Sequence, residues 1–203
     1  MKGTRNLAIL VILGLILILG VWGCSGYNGL VKQDEKVKNM WSNVQSSYQR
    51  RADLIPNLVN TVRSEATFEQ QTLIQTIEAR YKNLSSVKVD PANLTPENIQ
   101  KFQAAQGELS GALQRLMVVV ENYPNLKSNE GFRNLQTQLE GTENRINTAR
   151  NDFNAAINAY NTKVRSFPMN LFAGLFGFKV KEGFEAKEAA QDAPVVPENI
   201  MNK

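Results

Sequence analysis

The hydrophobic pattern of this chain changes character once, near residue 24. Leu7 to Gly23, LAILVILGLILILGVWG, carries no charge and is dominated by Leu, Ile and Val. At about 1.5 Å per residue such a helix spans ~25 Å, close to the minimum for crossing a bilayer. A core helix would normally keep a polar face, so the run predicts membrane insertion. Beyond it, apolar residues recur at alternating intervals of three and four. Val37, Trp41, Val44, Tyr48 and Ile55 share one face with Arg51 at the skipped step, and Leu58 and Val62 continue it. Ile99, Phe102, Leu109, Leu113, Leu116, Val120 and Tyr123 form a second stripe with Gln106 at its missing step. A third runs from Phe132 through Leu135, Leu139, Thr142, Ile146, Ala149, Phe153, Ala156 and Tyr160 to Val164. A repeat near 3.5 is the seam of coiled-coil-like helices packed almost parallel or antiparallel.

The breaks set the element boundaries. VKVDPANLTPEN is a loop that ends with Thr95 as helix cap and Pro96 at the first helical position, and NYPNLKSNEG is another. Thr67 and Gln70 fit a capping box. The spacing predicts helices over 27–64, 68–86, 96–122 and 129–167. Short connections make sequential helices antiparallel. The expected fold is therefore all-α, an antiparallel up-down four-helix bundle with long first and last helices. An N-terminal anchor (1–24) precedes the bundle (25–185), and a polar, proline-broken tail (186–203) is expected to be disordered.

SYQRRADLIPNLVNTVRSE, residues 47–65, puts Arg50, Arg51, Asp53, Pro56 and Asn57 into or beside the first stripe. Pro56 cannot donate to the Ala52 carbonyl, so the helix should bend there without reversing. Arg51 and Asp34 fall on the seam, where charge is costly unless paired, so Asp53, Asp34 or an acid on a neighbouring helix should compensate Arg51. One reading is a buried polar cluster that fixes helix register; the other is a partner- or ligand-binding notch at the kink. Near the other end, Asn154, Asn158 and Asn161 recur at four and three beside Tyr160, which suggests bonding to the Tyr27–Asn28 end of the first helix. After Phe167 and Pro168 comes NLFAGLFGF with Phe172 and Phe176, too short to span a bilayer. It either caps the bundle or lies in the lipid interface.

These two motifs carry a resemblance. YNGLVKQDEKVKNMWSNVQSSYQRRADLIPNLVNTVRSEA resembles the opening of the LemA family, and FNAAINAYNTKVRSFPMNLFAGLFGF is similar to its closing signature, over residues 27–185 in all. The resemblance implies a membrane-anchored, all-helical bundle with no agreed biochemical activity. It also implies an uncleaved anchor, from which Cys24 departs.

Charge and composition narrow the function. Lys2 and Arg5 account for two of the 23 basic residues, so the rest of the chain carries 21 against 19 acidic ones. No basic block with interleaved aromatics occurs, so nucleic acid is not an expected partner. Cys24 is the only cysteine and comes after VWG, a basic start and an apolar run, like a bacterial lipoprotein site. Trp22 stands where a small residue is usual. Lipidation of Cys24 and an uncleaved signal anchor both tether the domain to a cell membrane. Lys2 and Arg5 nearly balance Lys32, Lys36 and Lys38 across the run, and the lipoprotein reading favours the extracytoplasmic side. With no histidine in the chain, Ser-His and Cys-His nucleophiles and His-based metal sites are excluded. Glu65, Glu69, Glu78 and Glu108 stand at helical-surface spacing. No catalytic residue, cofactor or metal is therefore expected. The expected function is a membrane-tethered scaffold or adaptor of the bacterial envelope, binding partner proteins or organising the membrane. The alternatives are a regulatory subunit of a neighbouring membrane protein or sensor and, last, an envelope enzyme using a carboxylate pair.

Overall fold

The computed structural model describes residues 2–64, 68–84, 87, 89–91 and 93–185. Before Gly23, side chains are described only at Leu10, Leu13, Gly14, Leu17 and Gly20, and none is described at 68–70. The described elements are α1 (Lys2–Arg63), α2 (Phe68–Leu84), α3 (Pro96–Val120), α4 (Pro124–Ser128), α5 (Glu130–Arg165) and α6 (Met169–Leu175). No strand occurs among the described residues. The four segments expected to be helical are helical. Two short helices come in addition, α4 where NYPNLKSNEG reads as loop and α6 within NLFAGLFGF. The first helix does not begin near residue 27 but is continuous from Lys2, because nothing between the apolar run and the seam interrupts backbone hydrogen bonding.

Local chemistry explains the boundaries. Thr95 caps α3, its hydroxyl accepting from the Asn98 N–H at 3.3 Å, with Pro96 in the first turn. Asn129 caps α5 through the Phe132 N–H at 3.1 Å. Thr67, the expected cap of α2, lies outside the described residues. Pro56 sits exposed inside α1, and the helix runs through it to Arg63 without reversing.

Contacts fix the directions. Lys163 lies against Gly29 and Glu143 reaches Arg51, so α5 runs antiparallel to α1. Trp41 meets Phe102, and Arg51 meets Gln106 and Ser110, so α3 runs parallel to α1. Between them, α2 is tied by Arg63–Glu78 at 2.5 Å and Arg80–Glu108 at 2.6 Å. Those pairs also show where Glu78 and Glu108 go; the side chains of Glu65 and Glu69 lie outside the described residues.

The buried apolar side chains form two clusters rather than one. Near the α1 leader, Leu30, Val37, Trp41 and Val44 pack against Phe102, Phe153, Ile157 and Tyr160. At the far end Ile55, Leu58 and Val62 pack against Ile77, Leu109, Leu116, Phe132 and Leu139. Arg51, Gln106 and Thr142, the three buried polar residues among those described, stand between the clusters on α1, α3 and α5. The skipped steps of the first two stripes and the threonine of the third thus form a single layer across the fold.

Among the described residues no helix is long and apolar enough to cross a membrane. Most side chains of the Leu7–Gly23 run lie outside that description; Leu10, Leu13 and Leu17 are exposed. The tail at 186–203, read as disordered, also lies outside the described residues.

Candidate functional site

Arg51 is the centre of the buried layer. It is 3% exposed, and its guanidinium donates to Ser110 Oγ at 2.7 Å, Gln106 Oε1 at 2.5 Å and Glu143 Oε2 at 3.2 Å. Its carbon also lies 5.0 Å from the Tyr48 ring centre. Burial pulls its pKa below the ordinary value, against the opposing pull of Glu143 and Tyr48. The compensating acid is therefore the α5 carboxylate. Asp53 is exposed and accepts from Gln49, and Asp34 serves another pair. Arg50 and Asn57 are exposed as well, so of the five residues singled out around the proline only Arg51 joins the buried cluster. Arg51 turns towards α3 and α5, away from the carbonyl that Pro56 leaves free. Its Nε has no hydrogen-bond partner among the described residues.

Arg51 and Gln106 of this layer line a groove between α3 and α5. This groove has a volume of about 600 Å³. Gln103 and Arg150 stand at one end, Met117, Val118 and Gln136 at the other. Its size is that of a small-molecule or peptide site.

A second construction was not anticipated. After α6 the chain returns in extended form along α5, and side chains of α5 hold its backbone. Asn161 donates to the Lys181 carbonyl at 2.7 Å and accepts from the Lys181 N–H at 2.8 Å. Asn154 makes the same pair of bonds with Phe184, at 3.0 and 2.9 Å. Tyr160 donates to the Lys179 carbonyl at 2.9 Å. Each amide thus replaces the neighbouring strand of a sheet. The spacing matches: seven helical residues rise ~10.5 Å, and three extended residues advance ~10 Å. Gly183 allows the approach, since a Cβ there would collide with the Asn154 amide oxygen. Phe184 inserts against Trp41 and Phe153, and Lys181 pairs with Asp34 at 3.0 Å. The amides therefore grip this strap rather than the Tyr27–Asn28 end of α1, and Asn158 is exposed. The signal available in sequence was the seven-residue spacing of Asn154 and Asn161.

Two titratable groups lie under the strap. Burial pushes the Asp34 carboxyl up, but hydrogen bonds from Lys181 and Lys38 and their charges outweigh it, leaving its pKa below the ordinary 3.8. Burial, with the Asp34 charge adding to it, raises the Tyr160 hydroxyl to about 12.

The remaining predicted residues gather where α1 leaves the apolar run. Met169 and Ala173 of α6 are buried, and Met169 occupies the space a Cβ on Gly26 would need. Phe172 and Pro168 are half-buried, and Phe176 makes an edge contact with Tyr27 at 5.1 Å. Phe167, Leu171 and Leu175 are 81%, 65% and 79% exposed. This segment caps the core with one face and presents an apolar collar with the other. Cys24 is exposed and free. Among the described residues no cluster of acids or cysteine could hold a metal.

Two long antiparallel helices, a buried arginine layer and a side-chain-clamped strap define an all-α protein with its signature residues in structural contact. The chain belongs to the LemA family, whose sequence model matches residues 40–197. It is 31% identical to magnetosome protein MamQ 2 of Paramagnetospirillum magneticum, over 87% of this chain and 71% of that protein. Magnetosome protein MamQ of Magnetospirillum gryphiswaldense is 29% identical over the same shares. Protein LemA of Metamycoplasma hominis is 24% identical over 72% of this chain and 63% of its own length.

Proposed function

We propose that this protein is a membrane-tethered, non-enzymatic scaffold, a helical bundle held at one end by residues 1–24 and presenting its outer faces to envelope or membrane proteins. The apolar collar carries this reading. Phe167, Leu171, Leu175 and Val180 are exposed at the end where the charge-free run enters α1, and Tyr27 joins α6 to that end. Apolar side chains gathered beside such a run suit the lipid interface, where each gains by leaving water. Three acids support the scaffold reading, because Glu78, Glu108 and the groove's Glu143 are each paired with an arginine. The relatives named for the magnetosome fit a protein working at a particular cellular structure, and this chain would act likewise at its own membrane.

The test is fractionation of the full-length chain in its native cell. The parent protein is expected in the membrane fraction and resistant to alkaline wash. Leu13→Arg with Leu17→Arg should release it, and a product still membrane-bound would overturn the tether. Palmitate labelling with Cys24→Ala as control separates a lipid anchor from a spanning one.

A further inference from the structure

Charge is unevenly placed along this chain, and folding gathers the imbalance at one end. All 19 acidic residues lie outside residues 1–33 and 153–181. The first of those segments holds Lys2, Arg5 and Lys32, and the second Lys163, Arg165, Lys179 and Lys181. The two meet in space. Met169 lies against Gly26, Lys163 against Gly29, and Tyr27 makes edge contacts with Phe176 and Phe178. The α6 collar therefore belongs to an acid-free end of the molecule.

Most cations of that end are without an acid. Lys181 is held by Asp34 at 3.0 Å. Lys32, Lys163, Arg165 and Lys179 have no carboxylate within 4.0 Å among the described residues. Lys32, Arg165 and Lys179 are exposed, and Lys163 is half-buried. The nearest acids do not compensate them. Asp34 and Glu35 pair with Lys38, and Glu182 follows Lys181 on the part of the strap that leads away from the collar. The cations also alternate with the exposed apolar side chains, Arg165 two residues before Phe167 and Lys179 next to Val180.

Heights agree with this alternation. From Gly26, where Met169 packs, Gly29 stands ~4.5 Å and Lys32 ~9 Å further from the apolar leader. The headgroup layer on each side of a bilayer is ~5–8 Å thick. A collar at the acyl boundary thus sets these cations among the lipid phosphates, and long Lys and Arg side chains reach over the remaining gap. A zwitterionic headgroup carries its own cation beside the phosphate. An anionic one presents an uncompensated charge, which suits cations that lack acids of their own.

We propose that the α6 collar and Lys32, Lys163, Arg165 and Lys179 form a docking face for an anionic phospholipid surface, with apolar side chains in the interface and cations on the phosphates. This inference rests on the membrane tether and adds to it the kind of lipid on which the bundle stands. Each cation near such a surface favours docking about fivefold, so three together contribute on the order of 100-fold.

The experiment uses the full chain with Cys24→Ser and a dye on Leu175→Cys, in vesicles of equal parts phosphatidylcholine and phosphatidylglycerol. One lipid at a time carries a nitroxide quencher. Phosphatidylglycerol should quench the dye severalfold more strongly than phosphatidylcholine. Lys32→Gln with Arg165→Gln and Lys179→Gln, all at exposed positions, should bring the two lipids to parity. Salt at ~1 M, where the Debye length is ~3 Å, should do the same. Equal quenching in the parent chain, or an unchanged preference in the triple variant, would overturn the proposal. So would quenching by neither lipid, which would make protein, a second copy above all, the cover of the collar. Flotation of the same vesicles separates the two readings. A chain left behind overturns the tether and this inference with it, whereas a floating chain with equal quenching overturns this inference alone.

Discussion

Arg51 and Gln106 each interrupt an apolar stripe, and in the fold they interrupt it together. A guanidinium in that layer has few ways to be satisfied, since α1 must be turned and translated so that Gln106, Ser110 and Glu143 all meet it. One register does so, and a shift by a turn leaves a buried charge unpaired. Arg51→Ala should therefore destabilise by about 2–4 kcal/mol, whereas Arg51→Met, which keeps the buried stem, should lose less than half of that. Glu143→Gln should cost under ~1 kcal/mol, because its carboxylate is half in water. Urea unfolding of the three variants ranks them. The charge on a seam was legible in the sequence; its acid was not, since Glu143 stands one step off the α5 stripe and only the relative rotation of α1 and α5 brings it over. Asp34 gives a pH handle. Its pKa is lowered in the folded state, so its contribution is complete above the ordinary 3.8 and is lost as pH falls through and below that value. Amide protection of the strap should weaken from about pH 4 downwards, and Asp34→Asn should flatten that dependence.

Among the elements, helices were the most readable and the strap the least. Periodicity reports a face buried along many turns, and α1, α3 and α5 bury such faces. FKVKEGFE has no period to report, and its partners are amides rather than another strand, so the pairing rules of sheets do not reveal it. α6 was half legible: the apolar composition was plain, but not that one face would cap Gly26 while the other stayed exposed. Asn161→Ala leaves the Lys181 N–H and carbonyl without their amide partner, which should cost about 1–3 kcal/mol. Hydrogen exchange at Lys181 should quicken more than at any α3 amide. Pro56 carries the opposite expectation. Its side chain is exposed and α1 continues past it, so Pro56→Ala removes a helix-unfavourable residue without opening a cavity. A gain of about 1–3 kcal/mol should appear as a higher midpoint in thermal unfolding.

For the molecule as a whole, one element does two jobs. α1 extends from Lys2 to Arg63 as a single helix, through the apolar run and on through both cores. Nothing between them acts as a swivel, so the leader and the bundle turn as one stiff shaft. If the proposed tether holds the leader in lipid, its phase and length decide how high the α6 collar rides. Four alanines inserted after Cys24 would advance the bundle by ~6 Å and turn it by about 40° while leaving the Gly26–Met169 contact intact. A polarity-sensitive dye on Leu175→Cys, in a Cys24→Ser chain reconstituted in vesicles, should then emit further to the red than in the parent length. Under the proposed tether the uninterrupted first helix would be a gauge: it would set the standing height of the protein over lipid, and chain length alone would read it out.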